Sequence, residues 1–136
     1  MLSRVASIFV LLAWTLTCAA EEGIKAIVSI KAKPNASVHK NEAWSKPIVI
    51  KTAEDATKYF DADALEALKK EADFQKQFLL VFAWKGSGGD KLNYAIAESF
   101  PEQIFFSLVP GKTDDLCGHV HVFALRSNVS WSTKKE

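Results

Sequence analysis

Residues 78–84 read FLLVFAW and are apolar at every position. Successive side chains of a strand point to opposite faces. One face would carry Phe78, Leu80, Phe82 and Trp84, and the other Leu79, Val81 and Ala83. A strand that is apolar on both faces is typical of a position buried on both sides. We therefore predict a strand at the centre of a sheet.

The chain before this strand is predicted to form two strands and a helical segment. The first strand is expected within 24–33 and the second within 47–51, on the basis of their apolar residues. Thr52 is a candidate N-cap, with Glu54 and Asp55 in the first turn. Asp63, followed three residues later by Glu66, has the pattern of a capping box and predicts a second helix.

The chain after the central strand is predicted to form three more strands. Alternation or apolar runs place them at 92–97, 103–109 and 120–125. Residues 127–136 are polar and are expected to be extended, with Trp131 as an anchor. The predicted fold is α+β: a largely antiparallel sheet of about six strands, with a helical insertion after the second strand.

The N-terminus has the order of a secretion signal. Arg4 precedes an apolar run at 5–16, and small residues surround a cleavage point after Ala20. We predict a signal peptide at 1–20 and one globular domain at 21–136, with a polar tail from about 132. The mature protein would be secreted or periplasmic, with no transmembrane helix after cleavage. A lipid anchor at Cys18 is the alternative.

Charge and cysteine content narrow the function classes. The chain has 17 basic and 16 acidic residues, and cleavage removes one basic residue, Arg4, which leaves the domain neutral. A neutral domain lacks the field that collects nucleic acid, so we expect no nucleic-acid partner. Cleavage also leaves a single cysteine, Cys117, so no intramolecular disulfide is expected.

The glycine-rich turn at 86–89 is one candidate site. Its glycines could hold a phosphate, but phosphate loops open a helix, whereas this turn precedes a predicted strand. A flexible connection between two strands of a hairpin is the simpler interpretation of this turn. The functional alternative is a loop that contacts a partner.

A candidate metal site lies at Cys117, His119 and His121. Their spacing of two places all three on one face of a strand. A thiolate with two imidazoles suits zinc or copper. Phe123 and Leu125 continue the same face, so these residues are alternatively structural.

No convincing catalytic set appears in the sequence. A nucleophile elbow is absent, and Cys117 has His119 beside it on one strand rather than across the fold. Asn35 and Asn128 each begin a glycosylation sequon, which matters only in a eukaryotic source.

Several stretches resemble a known family. Residues 50–55, the Asp73-Phe74 pair within 72–77, the apolar strand 78–84, the Gly88-Gly89 pair and the strand 119–125 are similar to the C-terminal domain of the PrcB type. The similarity extends from about Ile48 to Leu125 and is shared with small uncharacterised exported proteins of planctomycete-type bacteria. It implies a non-enzymatic exported module that binds or stabilises another protein, such as a protease.

We therefore expect an exported, non-enzymatic binding or stabilising module with no cofactor and another exported protein as partner. The predicted contact residues are Gly86, Ser87, Gly88, Gly89, Tyr94 and Trp131. A metal-binding protein with zinc or copper at Cys117, His119 and His121 is the alternative, and a hydrolase is the third hypothesis.

Overall fold

A computed structural model of the protein describes residues 24–41 and 43–134. The predicted signal peptide, the alternative anchor Cys18 and the last two residues of the predicted tail lie outside these ranges. Within them, neither α-helix combines the length and hydropathy that crossing a membrane requires.

The described chain forms seven strands and two α-helices. In chain order they are β1 Ile27–Ser29, β2 Ile48–Ile50, α1 Ala53–Ala56, α2 Ala62–Glu71, β3 Gln77–Gly86, β4 Lys91–Ala97, β5 Gln103–Val109, β6 Cys117–Arg126 and β7 Ser130–Lys134. A short 3-10 helix, Ala36–Lys40, lies between β1 and β2.

The strands form two sheets rather than the single sheet of about six strands that the sequence predicts. Sheet A has the order β1-β6-β3-β2 and is antiparallel throughout. Sheet B has the order β4-β5-β7, in which β4 and β5 are antiparallel and β5 and β7 are parallel. The α+β class is confirmed, and most of its regular structure is strand.

Strand β3 separates two hydrophobic cores. Leu79, Val81 and Ala83 pack with the helices in the first core. Leu80, Phe82 and Trp84 pack with side chains of sheet B in the second core. β3 lies between β6 and β2, so the predicted central strand with two buried faces is confirmed.

The helices cover one face of sheet A, and α1 begins at a side-chain cap. The hydroxyl of Thr52 accepts a hydrogen bond of 3.1 Å from the Asp55 N–H, as the sequence predicts. The predicted start of the second helix at Asp63 is wrong by two residues: Asp61 is the N-cap residue, and its side chain makes no capping hydrogen bond. Leu68 of α2 is fully buried in the first core.

The polar C-terminal stretch contains a strand that its composition does not suggest. β7 pairs in parallel with β5, with Ile104 opposite Trp131 and Phe106 opposite Thr133. Trp131 packs against the second core, while Ser130, Ser132 and Lys134 on the other face are exposed. The short strand can therefore be polar because only one of its faces meets the core.

The glycine turn is not the connection of a hairpin. β3 and β4, which it joins, belong to different sheets and do not pair. The chain instead crosses from sheet A to sheet B at residues 87–90 and returns at residues 110–116. We call these two segments the paired crossovers.

Candidate functional site

The paired crossovers lie side by side and are joined through Ser87. Its hydroxyl lies 2.6 Å from the hydroxyl of Thr113 and accepts a hydrogen bond of 3.2 Å from the Thr113 N–H. The Gly89 N–H also donates to it, at 3.3 Å. One hydroxyl therefore orders its own turn and holds the returning segment against it.

Asp90 links the same two segments to the second core. Its Oδ1 accepts a bond of 2.7 Å from the Gly111 N–H, and its Oδ2 accepts one of 3.1 Å from the buried Trp84 indole. The pKa of Asp90 is lowered, chiefly by the Gly111 bond and also by Trp84. The carboxylate is thus held ionised between a loop and the end of β3.

Asp115 is the second carboxylate of the crossovers. It accepts hydrogen bonds from the Thr113 hydroxyl, from the Cys117 thiol at 3.1 Å and from the Gly88 N–H at 3.1 Å. These bonds lower the pKa of Asp115 to about 2, and the Thr113 bond has the largest effect, followed by those of Cys117 and Gly88. Hydrogen bonding to the same carboxylate raises the pKa of the Cys117 thiol.

The two histidines of β6 stack on β3. The His119 ring lies 4.8 Å from the Trp84 ring at an interplanar angle of 16°, and the His121 ring lies 5.6 Å from it at 22°. His121 also stacks on Phe123, at 6.4 Å. Burial, followed by the charge of His119, lowers the pKa of His121. The predicted common face of His119, His121 and Phe123 is present in the structure.

The three predicted metal ligands are engaged elsewhere. The Cys117 thiol bonds to Asp115, and His119 Nε2 lies 2.8 Å from the carbonyl oxygen of Ser87. His121 packs between aromatic rings. Across residues 24–41 and 43–134, no group of three or more His, Cys, Asp and Glu side chains is placed to hold a metal ion. The zinc or copper hypothesis therefore gains no support from this arrangement and stays a prediction.

The side chains that a hydrolase could use, Ser87, Cys117 and His119, lie close together. They do not form the hydrogen bonds of a catalytic set. His119 meets the backbone carbonyl of Ser87, whereas the Ser87 hydroxyl bonds to Thr113. The thiol of Cys117 meets a carboxylate and not an imidazole, and its pKa is raised. A thiol nucleophile requires the opposite shift, because the thiolate is the reactive form.

The glycines of the crossovers serve close approach of the two segments. A Cβ on Gly111 would lie 2.5 Å from the carbonyl carbon of Gly89 and 2.5 Å from the Ser87 hydroxyl. A Cβ on Gly88 would overlap the Asp115 carboxylate. This packing accounts for glycine at both positions without a bound phosphate.

The remaining predicted contact residues lie on sheet B. Tyr94 lies on β4, which pairs with β5 and is an edge strand of sheet B among the described residues, and its side chain is 43% exposed. Its ring still reaches Phe123, with the centroids 5.6 Å apart. Trp131 lies on β7, half-buried beside the second core, in a cleft shared with Val49 and Phe74. The structure thus does not bring the glycine turn, Tyr94 and Trp131 together as one patch.

Comparison with protein-family models, with curated proteins and with solved structures found no match for this chain.

Sequence reasoning missed Asp90 and Thr113, which hold the crossovers together. Both lie in polar loops, where an acid or a hydroxyl ordinarily indicates a turn. The available signal was the number of small residues and acids in both loops, at 86–90 and 111–115. Only the fold shows that the two loops are neighbours.

Proposed function

We propose that the protein is a non-enzymatic binding or stabilising module that contacts another exported protein through strand β4. The surface consists of Tyr94 and Ile96, which lie on one face of β4, with the adjoining glycine turn at 86–89. We call it the β4 surface.

The observation that carries this proposal is the open edge of sheet B at β4. Tyr94 and Ile96 have the strand parity of the core-facing side, yet they are 43% and 44% exposed. No strand of the described chain lies beyond β4 to cover them. Residues 92–97 also carry no charge, although charged side chains commonly protect such edges. Exposed apolar groups beside an edge are typical of protein interaction sites.

The crossovers support the proposal by ordering the start of this surface. Ser87, Asp90 and Asp115 hold the turn that leads into β4 through hydrogen bonds of their own. A surface that is ordered before binding loses less conformational entropy on association. The resemblance to the PrcB-type domain implies the same class of function.

Affinity capture tests the proposal. Purified protein is immobilised and exposed to the exported fraction of its source, in parallel with two variants. Ile96→Lys places a charge at the open edge of β4, and Val49→Lys places the same charge on β2, where Val49 is 41% exposed. We expect one stoichiometric partner that is retained by Val49→Lys and lost by Ile96→Lys.

Equal capture by the two variants would place the contact elsewhere. Turnover of a substrate by the purified protein, with no specific partner recovered, would overturn the binding function itself.

A further inference from the structure

Strand β6 is covered along only part of one edge. β3 pairs with it over its whole length, from Cys117 to Arg126. On the other edge, β1 pairs with Phe123–Leu125, and one more bond of 2.9 Å joins the Ile30 N–H to the Val122 carbonyl. From Val122 towards Cys117, no strand of the described ranges continues this edge.

The register identifies the backbone groups that point to the uncovered edge. The Ile30 N–H donates to Val122 and the Arg126 N–H donates to Ala26, so the even-numbered residues of β6 direct their N–H and C=O groups towards β1. Extending this register would place Ala32 opposite Val120 and Pro34 opposite Gly118. Val120 and Gly118 therefore direct their hydrogen-bonding groups to the edge that β1 leaves uncovered.

The cause of the opening is Glu71 at the end of α2. Its carboxylate accepts hydrogen bonds of 3.0 Å from the N–H groups of Lys31 and of Ala32. Ala32 therefore gives to Glu71 the donor that a continuing β1 would give to β6. Pro34 has no N–H to give. The chain diverges from β6 and leaves a cleft.

The cleft has a volume of about 320 Å³ and lies between residues 29–34 and residues 120–122. Lys31 and Lys33 line it, and both are exposed. The Glu71 carboxylate accepts the backbone N–H groups of Lys31 and Ala32, and within the described ranges neither lysine side chain forms a salt bridge. His121 forms part of the opposite wall. The cleft thus combines strand-edge groups that no strand of residues 24–41 or 43–134 pairs with and two cationic side chains.

We propose that this cleft binds an extended acidic segment of another protein, which adds to β6 as a strand at Gly118 and Val120. Main-chain hydrogen bonds to Val120 hold the segment, and its carboxylates lie against Lys31 and Lys33. Strand addition to an exposed edge is an established mode of peptide recognition. The opposite charges set the choice of partner. This site is separate from the β4 surface and does not depend on it.

Synthetic peptides provide the probe. One peptide alternates Glu with Thr, the second alternates Lys with Thr, and the third repeats Glu-Pro-Pro with the same number of Glu residues. This Glu–Pro peptide keeps the negative charge but lacks most N–H groups on both edges of the extended chain, so it pairs poorly as a strand in either register. Binding to the ¹⁵N-labelled protein is followed by amide chemical shifts and by hydrogen exchange.

We expect only the Glu–Thr peptide to bind and to slow exchange of the Gly118 and Val120 amides. Lys31→Gln and Lys33→Gln should each weaken binding about threefold, as expected for exposed ion pairs. Lys91→Gln, at the start of β4 in the other sheet, is the matched control and should leave binding unchanged. Thermal unfolding of each variant confirms that it is folded.

Three results would overturn the proposal. Equal binding of the Glu–Pro peptide would mean that charge alone acts, and equal binding of the Lys–Thr peptide would remove the role of the lysines. Protection of Gly118 and Val120 that grows with protein concentration, without peptide, would identify a second copy of the chain as the occupant. None of these results bears on capture through β4.

Discussion

The indole of Trp84, near the end of β3, donates a hydrogen bond of 3.1 Å to the carboxylate of Asp90. Asp90 directly precedes β4, the first strand of sheet B. Trp84 is almost fully buried, so the loss of this acceptor leaves a buried donor unpaired. We expect Asp90→Ala to lower the free energy of unfolding by about 1–3 kcal/mol. Urea denaturation measures the change.

A double-mutant cycle with Trp84→Phe isolates the bond itself. The effect of Asp90→Ala should shrink when phenylalanine replaces the indole. An undiminished effect would show that Asp90 acts only through Gly111.

Gly111 is expected to tolerate no side chain. A methyl group there would lie 2.5 Å from backbone and hydroxyl atoms of the other crossover, so Gly111→Ala must separate the two segments. We expect a loss of about 1–3 kcal/mol, as for overpacking elsewhere. Gly118→Ala is the control, because its nearest neighbour is the His39 side chain at 3.3 Å, which can move. Equal losses in the two variants would argue against the close approach.

Asp115 should make the protein sensitive to acid. Its pKa is about 2 in the folded protein and 3.8 for a free carboxyl, so its contribution is present above about pH 4 and is lost as the pH falls towards 2. We expect the urea midpoints of the wild type and Asp115→Asn to differ at neutral pH and to converge over that range. Asp114→Asn makes the same charge change at the neighbouring residue, and its urea midpoint should not converge with that of the wild type in this way.

His121 should produce a second pH dependence, near neutrality. Burial and His119 lower its pKa, so the unfolded chain takes up a proton before the folded protein does. Stability is therefore expected to fall as the pH drops below about 6.5, the pKa of an unperturbed histidine. His121→Phe keeps a ring against Trp84 and removes the titration. An unchanged slope of stability against pH in this variant would assign the effect to another group.

Phe82 should be among the most costly core positions to truncate. It is fully buried, and its ring lies 4.6 Å from that of Phe106 and 5.9 Å from that of Phe123. We expect Phe82→Ala to cost about 3–5 kcal/mol. Phe100→Ala removes the same ring at a position that is 95% exposed and should change stability by less than about 0.5 kcal/mol. Similar losses would contradict the assignment of the second core to β3.

The sequence predicted individual elements better than their arrangement. The two-sided apolar pattern located β3 and its faces, and the strand predicted at 103–109 matches β5 residue for residue. Alternation shows which side chains face inward but not which strands pair. The second sheet, in which β5 and β7 are parallel, therefore could not be predicted from the sequence.

The candidate site was only partly predictable for the same reason. The common face of His119 and His121 follows from strand parity. The bond between Ser87 and Thr113 joins residues 26 positions apart, and it exists only because both crossovers lie at the same end of the sheets. The opening beside Val120 depends likewise on a carboxylate from a distant helix.

Strand β3 contributes to the two cores at once, with Leu79 and Val81 in one and Leu80 and Phe82 in the other. Neither layer that covers sheet A can therefore melt and leave its neighbour intact, because loss of β3 removes a wall from both. The protein should accordingly unfold as a single cooperative unit, with near-UV and far-UV signals changing at the same temperature.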